Sequence, residues 1–257
     1  MQKRLIAIAL LAAFAAPAFA EEAAPPANPL SFNVGVVTDY IFRGISQSQH
    51  QPAVQGGIDY AHSSGLYVGT WASTIEWADR KDLQIQKDNK AEVDLYGGYK
   101  GAAGDFTYDV GLIRYYYHGE FQPSAGVTAN TTEGYVGGGW KFVSLKYNYV
   151  LSQNIFNWGG TDSNTKTHGS GYTDLTVTYP IDETLNVIAH LGRQNIHNLG
   201  AASYTDYKLG VTKDFGFGVV GLAYTDTNAK GGVGEAYRWA NKDVGKGVLA
   251  ASFLKTF

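Results

Sequence analysis

The sequence predicts an all-β protein: a transmembrane antiparallel up-and-down β-barrel of twelve strands. Three observations carry this. The last segment, 246–257, places Leu249, Ala251, Phe253 and Phe257 on one face and Ala250, Ser252 and Thr256 on the other, and it ends on an aromatic. From Leu30 onward, alternating segments follow one another at short intervals. The connections between them switch regularly between short and long, the pattern of barrels with tight turns at one end and long loops at the other. An open sheet edge cannot survive in lipid, so the last strand is expected to pair with the first.

The beginning of the chain reads as an export signal. Lys3 and Arg4 form a positive start, and Leu5 to Ala16 is an apolar run too short to span a bilayer as a helix. Ala18-Phe19-Ala20 is a cleavage site in front of Glu21. Residues 1–20 are expected to be a Sec signal peptide, 21–29 a flexible periplasmic leader rich in Ala and Pro, and 30–257 the barrel. Cleavage removes Lys3 and Arg4 and takes the formal net charge from −3 to −5. The chain has no cysteine, so an exported product must be held by its hydrogen-bonded ladder and its packing. No apolar run in the mature part approaches the ~20 residues of a membrane helix. Mean hydropathy is slightly negative, at −0.18. That suits a barrel, in which only alternate residues meet lipid. No basic patch or tail of the nucleic-acid-binding kind is present.

In order, strands are expected at about 30–42, 52–62, 66–74, 91–100, 106–117, 132–140, 143–151, 171–179, 185–192, 204–211, 217–226 and 246–257. Most approach the ~9–11 residues a tilted strand needs to cross the hydrocarbon layer. The connections 63–65, 101–105, the passage near Lys141, 180–184 and 212–216 are short, while 43–51, 75–90, 118–131, 152–170, 193–203 and 227–245 are long and polar. The short set follows even-numbered strands, which puts both termini at the periplasmic end. A soluble β-sandwich, the main competing architecture, would not segregate its loops this way.

Period-two alternation assigns the faces. Phe32, Val34, Val36, Tyr40 and Phe42 oppose Asn33 and Asp39. Ala91, Val93, Leu95 and Tyr99 oppose Glu92, Asp94 and Tyr96, and Leu175, Val177 and Tyr179 oppose Asp174, Thr176 and Thr178. The apolar face is expected to meet lipid. Tyr60, Tyr99, Phe106, Trp140, Tyr179 and Phe257 would form a periplasmic aromatic girdle, and Tyr40, Phe42, Tyr116 and Tyr149 an outer one. The third strand leaves its facing open, because Tyr67 and Trp71 compete with Leu66, Val68 and Ala72.

The run Thr38-Asp39-Tyr40-Ile41-Phe42-Arg43-Gly44-Ile45-Ser46-Gln47-Ser48, with Phe32 to Gly35 before it and Pro52 to Tyr60 and Ser64 to Ser73 after it, resembles the TorF porin family. So do Glu92 to Tyr99 and the Lys255-Thr256-Phe257 ending. The likeness is densest over 32–73. The chain departs from it at His118-Gly119, where a proline turn would be looked for, so the third outer loop is expected to be remodelled. The resemblance implies a barrel, an outer-membrane location in a Gram-negative bacterium, and a presumed channel function.

On these faces the pore-lining candidates are Asp39, Asp59, Glu92, Asp94, Asp109, Glu133, Asp174 and Asp206, with Lys100, Lys141, Lys146 and Lys208 as their basic counterparts. Arg43 is placed at the mouth, as a guide for solute, a clamp on a loop carboxylate, or a cation facing lipopolysaccharide phosphate. Phe253 and Phe257 are expected to be read by the barrel-assembly machinery. No catalytic, metal or cofactor site is assigned. His168 and Ser170 are neighbours in a Gly-rich loop, which does not supply nucleophile, base and orienting group. His190 and His197 lack metal spacing, and His190 alternates with aliphatics as a lumen residue would. Gly137-Gly138-Gly139 lacks the Lys-Ser/Thr of a phosphate loop. Asp79 to Asp82 and Lys87 to Lys90 are mixed charges suited to a solvated loop. The expected function is a passive channel for small hydrophilic solutes with a weak cation preference. The competing class is a closed structural or surface-interaction barrel. Expected partners are outer-membrane lipid and lipopolysaccharide, the assembly machinery and the solutes, with no nucleic acid. The solute and the oligomeric state are left open.

Overall fold

The computed structural model describes residues 28–77, 90–117, 129–156, 158 and 165–257. The expected signal peptide, most of the leader, the charged stretches 79–82 and 87–89 and the His118-Gly119 departure lie outside these residues. Twelve strands close a barrel: β1 (Leu30–Val37), β2 (Ala53–Ala61), β3 (Leu66–Thr74), β4 (Ala91–Ala103), β5 (Phe106–Tyr117), β6 (Thr131–Trp140), β7 (Val143–Val150), β8 (Gly171–Pro180), β9 (Leu185–Asn195), β10 (Tyr204–Asp214), β11 (Val219–Thr227) and β12 (Val248–Thr256). Each pairs antiparallel with its sequence neighbours, and β12 closes on β1 through Asn33↔Thr256 to Val37↔Ser252. Phe32 and Phe257 exchange backbone hydrogen bonds in both directions, which extends the seam to the last residue. The expected alternation of short and long connections is present. The short set, 62–65, 104–105, 141–142, 181–184 and 215–218, lies at one end. There Asp182 closes its turn by accepting from the Thr184 and Leu185 amides. The Thr184 amide, together with the Thr184 hydroxyl, holds the Asp182 carboxyl below its ordinary range.

The outward face is apolar. Val34, Ile58, Leu66, Val68, Leu95, Val110, Leu145 and Leu249 all stand exposed, with Leu209 reaching 63%. A continuous belt of this kind is stable only against apolar surroundings. The aromatics Tyr60, Tyr99, Phe106, Trp140, Tyr179 and Phe257 lie outward toward the short-turn end, and Tyr116 and Tyr149 outward toward the long-loop end. The open facing of β3 resolves clearly: Leu66 and Val68 point outward, while Trp71 is buried inside and the Tyr67 hydroxyl bonds Asp109.

On the inward face glycine and tyrosine are matched across neighbouring strands. Across the ladder Gly69 faces Tyr96, Gly98 faces Tyr67 and Gly111 faces Tyr135. A Cβ on Gly69 would stand 2.5 Å from the Tyr96 ring, and one on Gly111 would stand 2.4 Å from the Tyr135 hydroxyl. The tyrosines therefore lie flat on the wall, over strand positions that only glycine leaves bare.

One expectation is corrected here. The first strand does not run to residue 42; it ends at Val37, and the chain turns into the barrel. The Asp39 carboxylate accepts from the Ser46 and Ser48 hydroxyls, and the Ser48 hydroxyl accepts from the Tyr40 amide. Ile41–Phe42 and Ile45–Ser46 pair as a small hairpin whose two-residue turn, Arg43-Gly44, has φ of 48° and 79°. Two consecutive left-handed residues are what a tight hairpin needs. Tyr40 and Phe42 are thus inside the barrel, not members of an outer girdle. Tyr40 packs edge-on to Trp71, and Phe42 packs edge-on to Tyr115 and Phe156.

Candidate functional site: the lumen and its inward hairpin

The hairpin crosses the lumen at the long-loop end. Arg43 at its tip forms a two-pronged ion pair with Glu133 of β6, at 2.6 and 3.0 Å, and donates to Gln194 of β9 at 3.0 Å. Its guanidinium lies between the Phe42 and Tyr172 rings, 4.8 and 4.5 Å from their centroids. Burial alone would lower the Arg43 pKa, but the Glu133 carboxylate more than offsets it and the net direction is upward. Gly44 rests on the far wall, where a Cβ would stand 2.5 Å from both Asp206 Cβ and Thr227 Cγ2. Position 44 thus requires glycine for both its φ and its close approach. Nearer the root, the Tyr40 hydroxyl donates to Glu92 at 2.6 Å, and Tyr117 bonds the same carboxylate.

The segment is also tied to the loop between β11 and β12. His50 joins the Asp39 carboxylate at 2.7 Å to the Asp243 carbonyl at 2.9 Å. The Ser46 amide donates to Val244, and Lys242 Nζ donates to the Gln49 carbonyl. The His50 pKa is raised, first by the hydrogen bond to Asp39.

Of the pore-lining candidates, Asp59, Glu92, Asp94, Asp109 and Glu133 face inward on β2 and β4 to β6, and Lys146, Asp174, Asp206 and Lys208 face inward on β7, β8 and β10. Asp39 is inside too, but on the connection rather than on a strand. Toward the short-turn end, Tyr96 donates to Asp59 and Tyr67 to Asp109, and Tyr67 and Tyr135 bond one another. Lys146 stands 3.8 Å from the Tyr135 ring centroid. At mid-height His190 lies between Asp174 and Asp206, at 3.2 and 3.0 Å. The Tyr172 hydroxyl joins Asp206 from β8. Asp94 is buried, and its Oδ1 has no hydrogen-bond partner among the described residues. Access differs among them. Lys100 is exposed and Asp59, Lys146 and Asp174 are half-buried, while Glu92, Glu133 and Asp206, beside the hairpin, and also Asp94 and Asp109 are buried.

Two assignments are corrected. Lys141 does not line the lumen; it is a turn residue at φ 54° whose Nζ lies 4.6 Å from the outward Trp140 ring. Arg43 does not face the lipid side, and the carboxylate it clamps belongs to the barrel wall rather than to a loop. The signals were present: Asp39 followed by Ser46 and Ser48, and Arg43-Gly44 between two apolar pairs, describe a turn. The alternation of Tyr40 with Phe42 masked them as strand. His168 and Ser170 do not pair with each other in the described contacts: the His168 ring meets the Ser152 carbonyl, and the Ser170 hydroxyl donates to Thr167. Phe253 packs on Phe217, with centroids 6.1 Å apart, and Phe257 is exposed at the rim.

No curated protein matches the sequence. Among solved structures the fold is similar to the KdgM porin (TM-score 0.53, 7% identity, 88% of this chain and 99% of that one) and to the NanC porin (0.52, 11%, 88% and 98%). It is also similar to an outer-membrane channel from Pseudomonas putida F1 (0.51, 10%, 90% and 96%). At such identities the likeness shows the fold: a closed, twelve-stranded antiparallel barrel of the kind found in outer-membrane porins. Residues 20–257 match the profile of Gcw_chp, described as a bacterial protein of unknown function, and the chain belongs to that family.

Proposed function

We propose that this barrel is an outer-membrane channel for passive diffusion of small hydrophilic solutes, narrowed at its external end by the 38–52 hairpin and weakly selective for cations. The observation that carries the reading is the ionisable lumen wall. Lys100 is exposed and Asp59, Lys146, Asp174 and Lys208 are half-buried, while Asp94, Asp109 and the carboxylates beside the hairpin are buried. A lumen of this chemistry is a path for polar solutes. The TorF resemblance of residues 32–73 supports the channel, as does the KdgM porin, a relative in fold that has been solved in complex with disordered oligogalacturonate. The reading includes Sec export with removal of residues 1–20, contact of the outward belt with lipid and lipopolysaccharide, delivery by the barrel-assembly machinery, and no catalytic role.

A second reading, a closed structural barrel, is favoured by the complete burial of Glu133 and of the Glu92 cluster beneath the hairpin. Planar-bilayer recording of the refolded protein separates the two. The channel predicts small, stable conductance in the wild type and larger conductance in Gly44→Val, whose side chain cannot seat against Asp206. Silence from both folded proteins would refute the channel and leave the closed barrel.

A further inference from the structure

Above the hairpin, at the long-loop end, lies a cavity of about 250 Å³. One wall is aromatic. Trp77, Trp239, Tyr237 and Trp158 follow one another with ring centroids 6.0, 6.2 and 5.3 Å apart and interplanar angles of 47°, 37° and 55°. The deeper rings around Tyr40, Phe42 and Tyr117 meet edge-on instead, at 64° to 89°, which is how a core closes.

Polar groups share the lining: Gln47 on the hairpin, and Glu235 and Arg238 on the β11–β12 loop. Arg43, which also lines the cavity, is already engaged with Glu133. Glu235 and Arg238 bring opposite charges; the Glu235 carboxylate accepts from the Gly232 amide and the Arg238 guanidinium donates to the Gly231 carbonyl, and each group has further hydrogen-bonding capacity.

The ligand this asks for has a flat apolar face for the rings, a rim of hydroxyls for Gln47, Glu235 and Arg238, and no net charge. We propose that the vestibule binds a neutral saccharide, with one sugar ring held against the aromatic wall. The volume lies just below the 300–1,000 Å³ of drug-sized sites, which suits one ring rather than a buried chain. The proposal names the solute class of the channel reading and rests on it for its purpose, but binding can be measured without conduction.

The test is titration of the refolded full-length barrel in detergent with D-glucose, N-acetylglucosamine and maltose, with glycerol as the ring-free control. It is read by tryptophan fluorescence and by calorimetry. Three of the five tryptophans line the cavity, so a saturable fluorescence change is expected with at least one sugar and none with glycerol. Trp239→Ala should weaken binding by about tenfold. Trp140→Phe, on the outward girdle, should leave it unchanged. Arg238→Ala, on the outer loop, serves as the second variant if Trp239→Ala does not fold. No saturable signal with any of the three sugars, or equal affinity in the folded cavity variant, overturns the proposal. Sugar binding without bilayer conductance would refute the channel reading alone; conductance without binding would refute this one alone.

Discussion

Arg43 shows how much one side chain can organise. It is buried, and its pair with Glu133 spans from the connection after β1 to β6. Removing one partner strands a charge inside the barrel, so Arg43→Ala is expected to destabilise the protein by about 3–5 kcal/mol. Arg43→Met combined with Glu133→Gln should cost less than either change alone, because neither charge is then left unpaired. Reversible urea unfolding in detergent measures both; additive losses would refute the pair's role. Gly44→Ala should cost about 1–3 kcal/mol through its left-handed backbone and its contact with the wall. His50 adds a dependence on pH. Its folded pKa is raised by Asp39, with burial and Lys246 opposing and the Asp243 carbonyl assisting. Its stabilising contribution is therefore complete below the unfolded value of about 6.5 and is lost as pH rises through the higher folded value. The Tm advantage of wild type over His50→Gln should accordingly shrink as pH is raised across that window. A gap that stays constant or widens would show that the imidazole does not titrate against Asp39.

The strands and the hairpin differ in how far their residues announce them. Each strand has one face outward and one inward, so period two is imposed along its whole length, and segments such as Leu95 to Tyr99 or Leu175 to Tyr179 could be faced from the sequence alone. The antiparallel order followed from the loop lengths. The 38–52 hairpin carries the same alternation for a different reason: Tyr40 and Phe42 are apolar because they fill the lumen, not because they meet lipid. Only the pairing of Asp39 with Ser46, Ser48 and His50 distinguishes the two cases, and it depends on a turn that alternation cannot reveal. The aromatic cavity was out of reach for a similar reason, since its rings come from four separate connections and β10. The closing seam was accessible, because Phe257 ends an alternating strand and does pair with Phe32. Deleting Phe257, or changing it to Asp, should lower the assembled yield in cells far more than Thr256→Ser. Equal yields of heat-modifiable protein from all three would argue that the seam does not depend on its terminal aromatic.

Around the barrel the inward charges are not mixed evenly. β2 and β4 to β6 carry Asp59, Glu92, Asp94, Asp109 and Glu133, with Lys100 toward the short-turn end. β7 to β10 alternate sign, with Lys146 directly opposite Asp174 and His190 opposite Lys208 in the ladder. β11, β12 and β1 present Gly221, Ala223, Thr225, Ala250, Ser252, Leu254, Asn33 and Gly35, all uncharged. Arg43 neutralises part of the acidic side, and the loss of Lys141 from the lining removes a base from the balance. The remaining excess is acidic, and a narrow lumen with low-dielectric walls concentrates the opposite ion. In a potassium chloride gradient the reversal potential is therefore expected to show a modest cation preference. Asp59→Asn, at a half-buried position, should reduce it, and Asp109→Asn, buried under the Tyr67 hydroxyl, should reduce it less. Glu133→Gln should reduce it little, because that carboxylate is already spent on Arg43. The preference should fade as salt approaches ~1 M, where the Debye length is only ~3 Å. A clear anion preference, or indifference to both aspartate changes, would mean that Lys146, Lys208 and Arg43 govern the field and that the acidic wall is screened by its tyrosine partners.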